Sequence, residues 1–90
     1  MDSKTLLNQI GIGNLMAVGA RDYVAGPSTL SFFVGRGRSH KIEITLNSRD
    51  YYDVRYCVRR RGQALFEVAG WMTDIDCDQI GDVVYGYVCK

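Results

Sequence analysis

Lys41-Ile42-Glu43-Ile44-Thr45-Leu46-Asn47-Ser48-Arg49-Asp50-Tyr51-Tyr52-Asp53-Val54-Arg55-Tyr56-Cys57-Val58-Arg59 is the stretch that decides the fold. Over 41–46, Ile42, Ile44 and Leu46 fall on one side and Lys41, Glu43 and Thr45 on the other. That two-residue period is the mark of a half-buried antiparallel strand. Asn47-Ser48-Arg49-Asp50 is a cluster of turn formers. Beyond it the alternation resumes, with Tyr52, Val54, Tyr56 and Val58 on one face and Asp53, Arg55, Cys57 and Arg59 on the other.

Working outward, Arg60-Arg61-Gly62-Gln63 closes a hairpin, and Gly62 is free to adopt positive φ. Ala64–Gly70 is the expected last strand, with Phe66 and Val68 inward and Glu67 outward. Upstream, Gly35–Ser39 forms a loop, and Thr29–Val34 is a strand with Leu30, Phe32 and Val34 on one face. Ala25-Gly26-Pro27-Ser28 is a turn holding the single proline. The apolar run Leu15–Ala20 is expected as a first strand. Before it, Asp2 or Ser3 caps a short helix carrying Leu6, Leu7 and Ile10, which Gly11 and Gly13 stop.

At the other end a helix is expected from Thr73, in a capping-box-like pair with Asp76, with Asp74, Asp76 and Asp78 in its first turn, where the helix dipole favours carboxylates. Its apolar stripe is Ile80, Val83, Val84, Tyr87 and Val88. Gly81 and Gly86 each cost about 1 kcal/mol against alanine, which close approach of the helix to the sheet would offset. The expectation is a single two-layer α+β domain over residues 1–90. It holds an antiparallel meander of four or five strands, with a short N-terminal and a longer C-terminal helix on one face.

The chain has 90 residues, 47% hydrophobic and 23% charged, with a net charge of +1. These values exclude a disordered chain, a histone-like cation and an acidic mimic of nucleic acid on bulk charge. No apolar run reaches the ~20 residues of a membrane span, and from Met1-Asp2-Ser3-Lys4, which has no basic stretch followed by an apolar core, no secretory leader is expected. Three cysteines, an odd number, point to a reducing compartment. Cys57, Cys77, Cys89 and the lone His40 lack the local pairs of a zinc site. The cysteines are expected to be small buried apolar side chains.

The near-zero net charge conceals a split. Residues 36–61 sum to +5 and residues 62–90 to −4. Arg59, Arg60 and Arg61 stand at one hairpin tip, and Arg36, Arg38 and Lys41 belong to the same basic third of the chain. Three adjacent guanidiniums suit phosphates or an acidic protein patch. With Tyr51 and Trp71, exposed aromatics of the kind that make interface hot spots, they form the expected partner-binding set. Asp74, Asp76 and Asp78 are a second, acidic surface. No catalytic residue, metal site or cofactor is expected. Gly11-Ile12-Gly13-Asn14-Leu15-Met16 lacks the third glycine of a dinucleotide loop. Asp74-x-Asp76-x-Asp78 has Gln79 where a calcium loop needs glycine and Tyr85 where it needs glutamate.

The blocks Thr5–Gly11, Met16–Val24, Leu30-Ser31-Phe32, Ile42–Asn47 and Tyr52-Asp53-Val54 occur in the order and spacing of a family of small phage and prophage proteins. That family's pattern is Leu-x-Gln-Leu-Gly, then Met-x-Gly-Ala-Lys-Asn-Phe-Val, Leu-Ser-Phe, Ile-Thr-Leu-Asn and Tyr-Asp. This chain resembles it over roughly the first 55 residues, and departs from it with Arg21-Asp22 in place of Lys-Asn. The resemblance implies an origin on a mobile element and action in the cytoplasm of a bacterial host, and carries no enzymatic activity. Small phage proteins without catalytic motifs often occupy a host protein, and anti-CRISPR inhibitors of Cas components are such a class. The alternatives are direct nucleic-acid binding by the basic hairpins and a structural or assembly role through a sheet edge.

Overall fold

A computed structural model describes residues 3–35, 39–60 and 62–89. The elements run α1 (Ser3–Ile10), α2 (Ile12–Val18), β1 (Arg21–Ala25), β2 (Thr29–Phe33), β3 (His40–Leu46), β4 (Tyr52–Val58), β5 (Glu67–Ile75) and α3 (Ile80–Cys89). The strands form one antiparallel sheet in chain order, β1-β2-β3-β4-β5. This is the expected α+β meander, with five strands. No helix among the described residues is long and apolar enough to cross a membrane.

The alternation of 41–59 places the layers. Ile42 and Ile44 of β3, Tyr52 and Val54 of β4 and Leu30 and Phe32 of β2 are buried on one face of the sheet. Leu6 and Ile10 of α1, Val18 of α2 and Ile80 and Val84 of α3 complete the same core. Burying such side chains yields about 1.5–3 kcal/mol each, and that sum sustains helices too short to persist alone. The Tyr52 hydroxyl donates to Oε1 of Gln9 at 2.7 Å, tying β4 to α1.

Three parts of the N-terminal reading change. The run Leu15–Ala20 is not a strand: residues 12–18 are α2, with Val18 buried and Met16 75% exposed. A short apolar run fits either structure, and the flanking glycines decide it. Gly11, at φ +91°, ends α1 by donating to Leu7, while its carbonyl accepts from Leu15 and starts α2. Gly19, at φ +68°, closes α2 as a left-handed cap whose bonds reach Leu15 and Met16. Gly13 lies inside α2 and stops nothing. Two short helices therefore precede β1, which begins at Arg21.

The C-terminal reading shifts in register. β5 covers 67–75 rather than 64–70, and Val68, expected inward, is 54% exposed opposite Cys57. The pairing slips between Tyr56 and Cys57, and such a slip moves side chains to the other face. The last helix starts at Ile80, so Thr73 caps nothing. Asp74 belongs to β5 with φ +55°, while Asp76 and Asp78 sit in the turn before α3. The Asp78 N–H donates to Asp76 Oδ1 at 3.2 Å, and Gln79 donates to the Asp76 carbonyl at 2.9 Å. The Asp78 backbone bond, with the Cys77 thiol second, holds the Asp76 carboxyl below the usual carboxylate range. Gly81 does permit close approach, but to the end of α1 rather than to the sheet. Gly86 has nothing within 4 Å of where a Cβ would stand.

Candidate functional site

All three helices contribute to the core on one face of the sheet. The opposite face therefore collects the other half of each alternating strand. Cross-strand register arranges it in rows. One row is Phe33, Lys41, Cys57 and Val68. The next is Val24, Ser31, Glu43, Arg55 and Trp71.

Cations lie over aromatic rings along this face. Lys41 Nζ stands 4.5 Å and Arg59 Cζ 4.8 Å from the centroid of the Phe66 ring. Phe66 in turn contacts Phe33, centroid to centroid 6.0 Å. Arg55 Cζ lies 5.9 Å from the centroid of Trp71, whose side chain is 63% exposed. A cation held on a ring is attracted to its negative face, by about 0.5–1 kcal/mol at exposed sites. Glu43 sits among these cations, opposite Arg55 and 3.9 Å from Lys41 Nζ, and accepts from the Cys57 thiol at 3.3 Å.

The expected binding residues distribute unevenly. Lys41, Arg59 and Trp71 come together on the open face. Arg60 is exposed on the β4–β5 connection, where its carbonyl accepts from the Gln63 N–H, and Gly62 takes φ +87° as expected. Tyr51 is exposed at the β3–β4 turn. Arg36, Arg38 and Arg61 lie outside the described residues.

The acidic set does not form one surface. Asp74 ion-pairs with Arg49 at 3.3 Å and accepts from Asn47 Nδ2 at 2.8 Å. Asp76 and Asp78 stand in the turn leading into α3, with the exposed Cys77 between them. The basic and acidic thirds of the chain thus meet at the β3–β4 turn instead of standing wholly apart. The cysteines also divide: Cys57 is buried, as expected, whereas Cys77 and Cys89 are exposed.

Arg55, Phe33 and Phe66 complete the face and were absent from the expected set. Arg55 and Phe33 were legible. Alternation puts Arg55 on the side of Cys57 and Arg59, and Phe33 opposite Phe32. Phe66, read as a core residue, had no such signal, because its position depends on the slipped β4–β5 pairing. On the helix side, the Tyr56 hydroxyl meets His40 Nδ1 at 2.9 Å, and the Tyr56 ring stacks between those of His40 and Tyr87.

Comparison with family models, curated proteins and solved structures finds no match. The class defined by fold and site is therefore a structural one: a small α+β domain with an open sheet face of cations laid over aromatic rings.

Proposed function

We propose that this chain is a non-enzymatic protein of a phage or other mobile element. It acts in the cytoplasm of a bacterial host by occupying a host protein, and an anti-CRISPR inhibitor of a Cas component is the form to test first. One observation carries the binding reading: the helix-free face of the sheet presents Lys41, Arg55 and Arg59 against Phe66 and Trp71. Tryptophan and arginine dominate protein-binding hot spots, and here the rings hold the long cationic side chains in place before a partner arrives. The assignment to a host target rests on the sequence resemblance and on this face together.

Nucleic acid is the second reading, favoured by the same cations beside aromatic rings, the elements of a single-strand platform. Phe66 already carries two cations, so a base would have to displace them, and protein is the preferred partner.

The test is phage plating on a host with and without an active CRISPR–Cas system, with the chain expressed. The expected result is plating restored only where the system is active, and lost again in Trp71→Ala and in Arg55→Glu/Arg59→Glu. Unchanged plating with the wild-type chain overturns the inhibitor reading. Full activity in the variants removes the open face from it. A gel shift whose affinity falls with salt by a slope near −0.7 per phosphate contact on single strands would move the assignment to nucleic acid.

A further inference from the structure

Residues 67–89, spanning β5 and α3, contain Glu67, Asp74, Asp76, Asp78 and Asp82 and no lysine or arginine. Arg49 pairs with Asp74, while Glu67, Asp76, Asp78 and Asp82 have no ion pair with a described residue. β5 is an outer strand of the sheet and, at nine residues, its longest. An outer strand turns a row of backbone N–H and C=O groups outward. Alongside it, between β5 and α3, runs a groove of about 490 Å³. Met72, Val83 and Tyr87 supply its apolar lining, Asp82 its charge, and Gly86 an open wall.

We propose that the β5 edge and this groove form a docking site for an extended, basic segment of a partner protein, which joins the sheet as a sixth strand. Strand addition gains affinity from the backbone ladder and specificity from pockets for alternate side chains. The geometry supplies both. Met72 opposes Val54 and lines the groove, whereas its neighbour Trp71 opposes Arg55 on the open face. Alternate residues of the added strand therefore face the groove, apolar ones against Met72, Val83 and Tyr87. Asp82 lines the same groove and Glu67, opposite Val58, shares its face of the sheet, so lysines or arginines among those same alternate residues reach them.

Charge selects this occupant over a second copy. Pairing β5 with β5 of another molecule would set strands bearing Glu67 and Asp74 side by side, with Asp82 beside each and no cation on either strand. Like charges across a strand pair are destabilising. The site is separate from the cationic face and stands without the functional reading given above.

Trp71 is the only tryptophan and lies on β5, so its fluorescence reports the docking. The probes are a synthetic peptide about as long as β5 whose groove-facing positions carry valine and lysine in turn, with threonine at the positions between, and its counterpart with glutamate in place of lysine. The lysine peptide is expected to shift Trp71 emission and to protect β5 amides from hydrogen exchange, and the glutamate peptide to do neither. Gly86→Leu fills the groove from a position with free space around it. It and Asp82→Lys are each expected to weaken binding roughly tenfold, while Arg55→Glu leaves it intact. Failure of the lysine peptide to bind overturns the proposal, as do equal binding of both peptides or unchanged affinity in both groove variants. A concentration-dependent dimer with β5 amides protected in the absence of peptide would assign the edge to a second copy and overturn it too.

Discussion

Gly81 of α3 lies against the carbonyl of Ile10 at the end of α1, so close that an added Cβ would stand 2.5 Å from that oxygen. The same carbonyl accepts from Asn14 Nδ2 at 2.8 Å. A side chain at 81 would therefore push on backbone and break a tie between α1 and α2. Gly86, one and a half turns further on, has free space.

The two glycines should consequently respond in opposite directions. Gly81→Ala is expected to destabilise the fold by about 1–3 kcal/mol, overpacking outweighing the helix propensity gained. Gly86→Ala is expected to stabilise by about 0.5–1 kcal/mol. Urea unfolding measures both, and two shifts of the same sign would contradict the packing described.

Asn47 is the hub of the β3–β4 turn. Its Nδ2 donates to Asp53 and Asp74, and its Oδ1 accepts from the backbone N–H groups of Arg49 and Tyr51. Asn47→Ala is expected to cost about 1–3 kcal/mol, because it strips partners from four groups at once. Arg49→Ala should cost under about 1 kcal/mol, since its ion pair with Asp74 is exposed. Reversal of that order in thermal unfolding would show that the ion pair, not the amide, holds the turn.

Burial, with the hydrogen bond to Glu43 second, pushes the Cys57 thiol up from an ordinary 9.0 to about 11. A thiol reagent near neutral pH should modify Cys77 and Cys89 in the native protein and reach Cys57 only on unfolding. The folded-state value exceeds the unfolded one, so the unfolded chain releases this proton first. Stability is then level below the unfolded value and falls as pH rises from about 9 towards about 11. Tyr52 and Tyr56, raised by burial, add to the fall at the alkaline end. Cys57→Ala should flatten the first part of that slope in urea titrations at stepped pH. An unaltered slope would remove the thiol from the cause.

Phe32 is buried in β2, opposite Ile42, and holds the β1 edge through its ring contact with Tyr23 at 5.5 Å. Phe32→Ala is expected to cost about 3–5 kcal/mol and to loosen β1. Its neighbour Phe33, on the open face, should cost clearly less when truncated. Calorimetry on the two variants compares a core position with an interaction-face position one residue apart.

Where residues alternated, faces were legible. Lys41–Arg59 placed Ile42, Ile44, Tyr52 and Val54 inside and Lys41, Arg55 and Arg59 outside, which is most of both the core and the candidate surface. The last strand was not, because its faces depend on the irregular pairing with β4 and on the positive φ at Asp74. Nor was α2, whose six-residue apolar run carries no period long enough to separate helix from strand.

Local pattern by itself determined that this chain makes a meander with one apolar side, since a two-residue period can be satisfied only by a strand with one face dry. It also determined that lysine and arginine would crowd the other side. Tertiary structure alone decided that Phe66 and Trp71 would lie beneath those cations, that Asp74 would turn to Arg49, and that β5 would be left as a long acidic edge beside α3. Those outcomes depend on register between distant segments, and register is set by how the whole sheet packs against its helices rather than by neighbours in the chain.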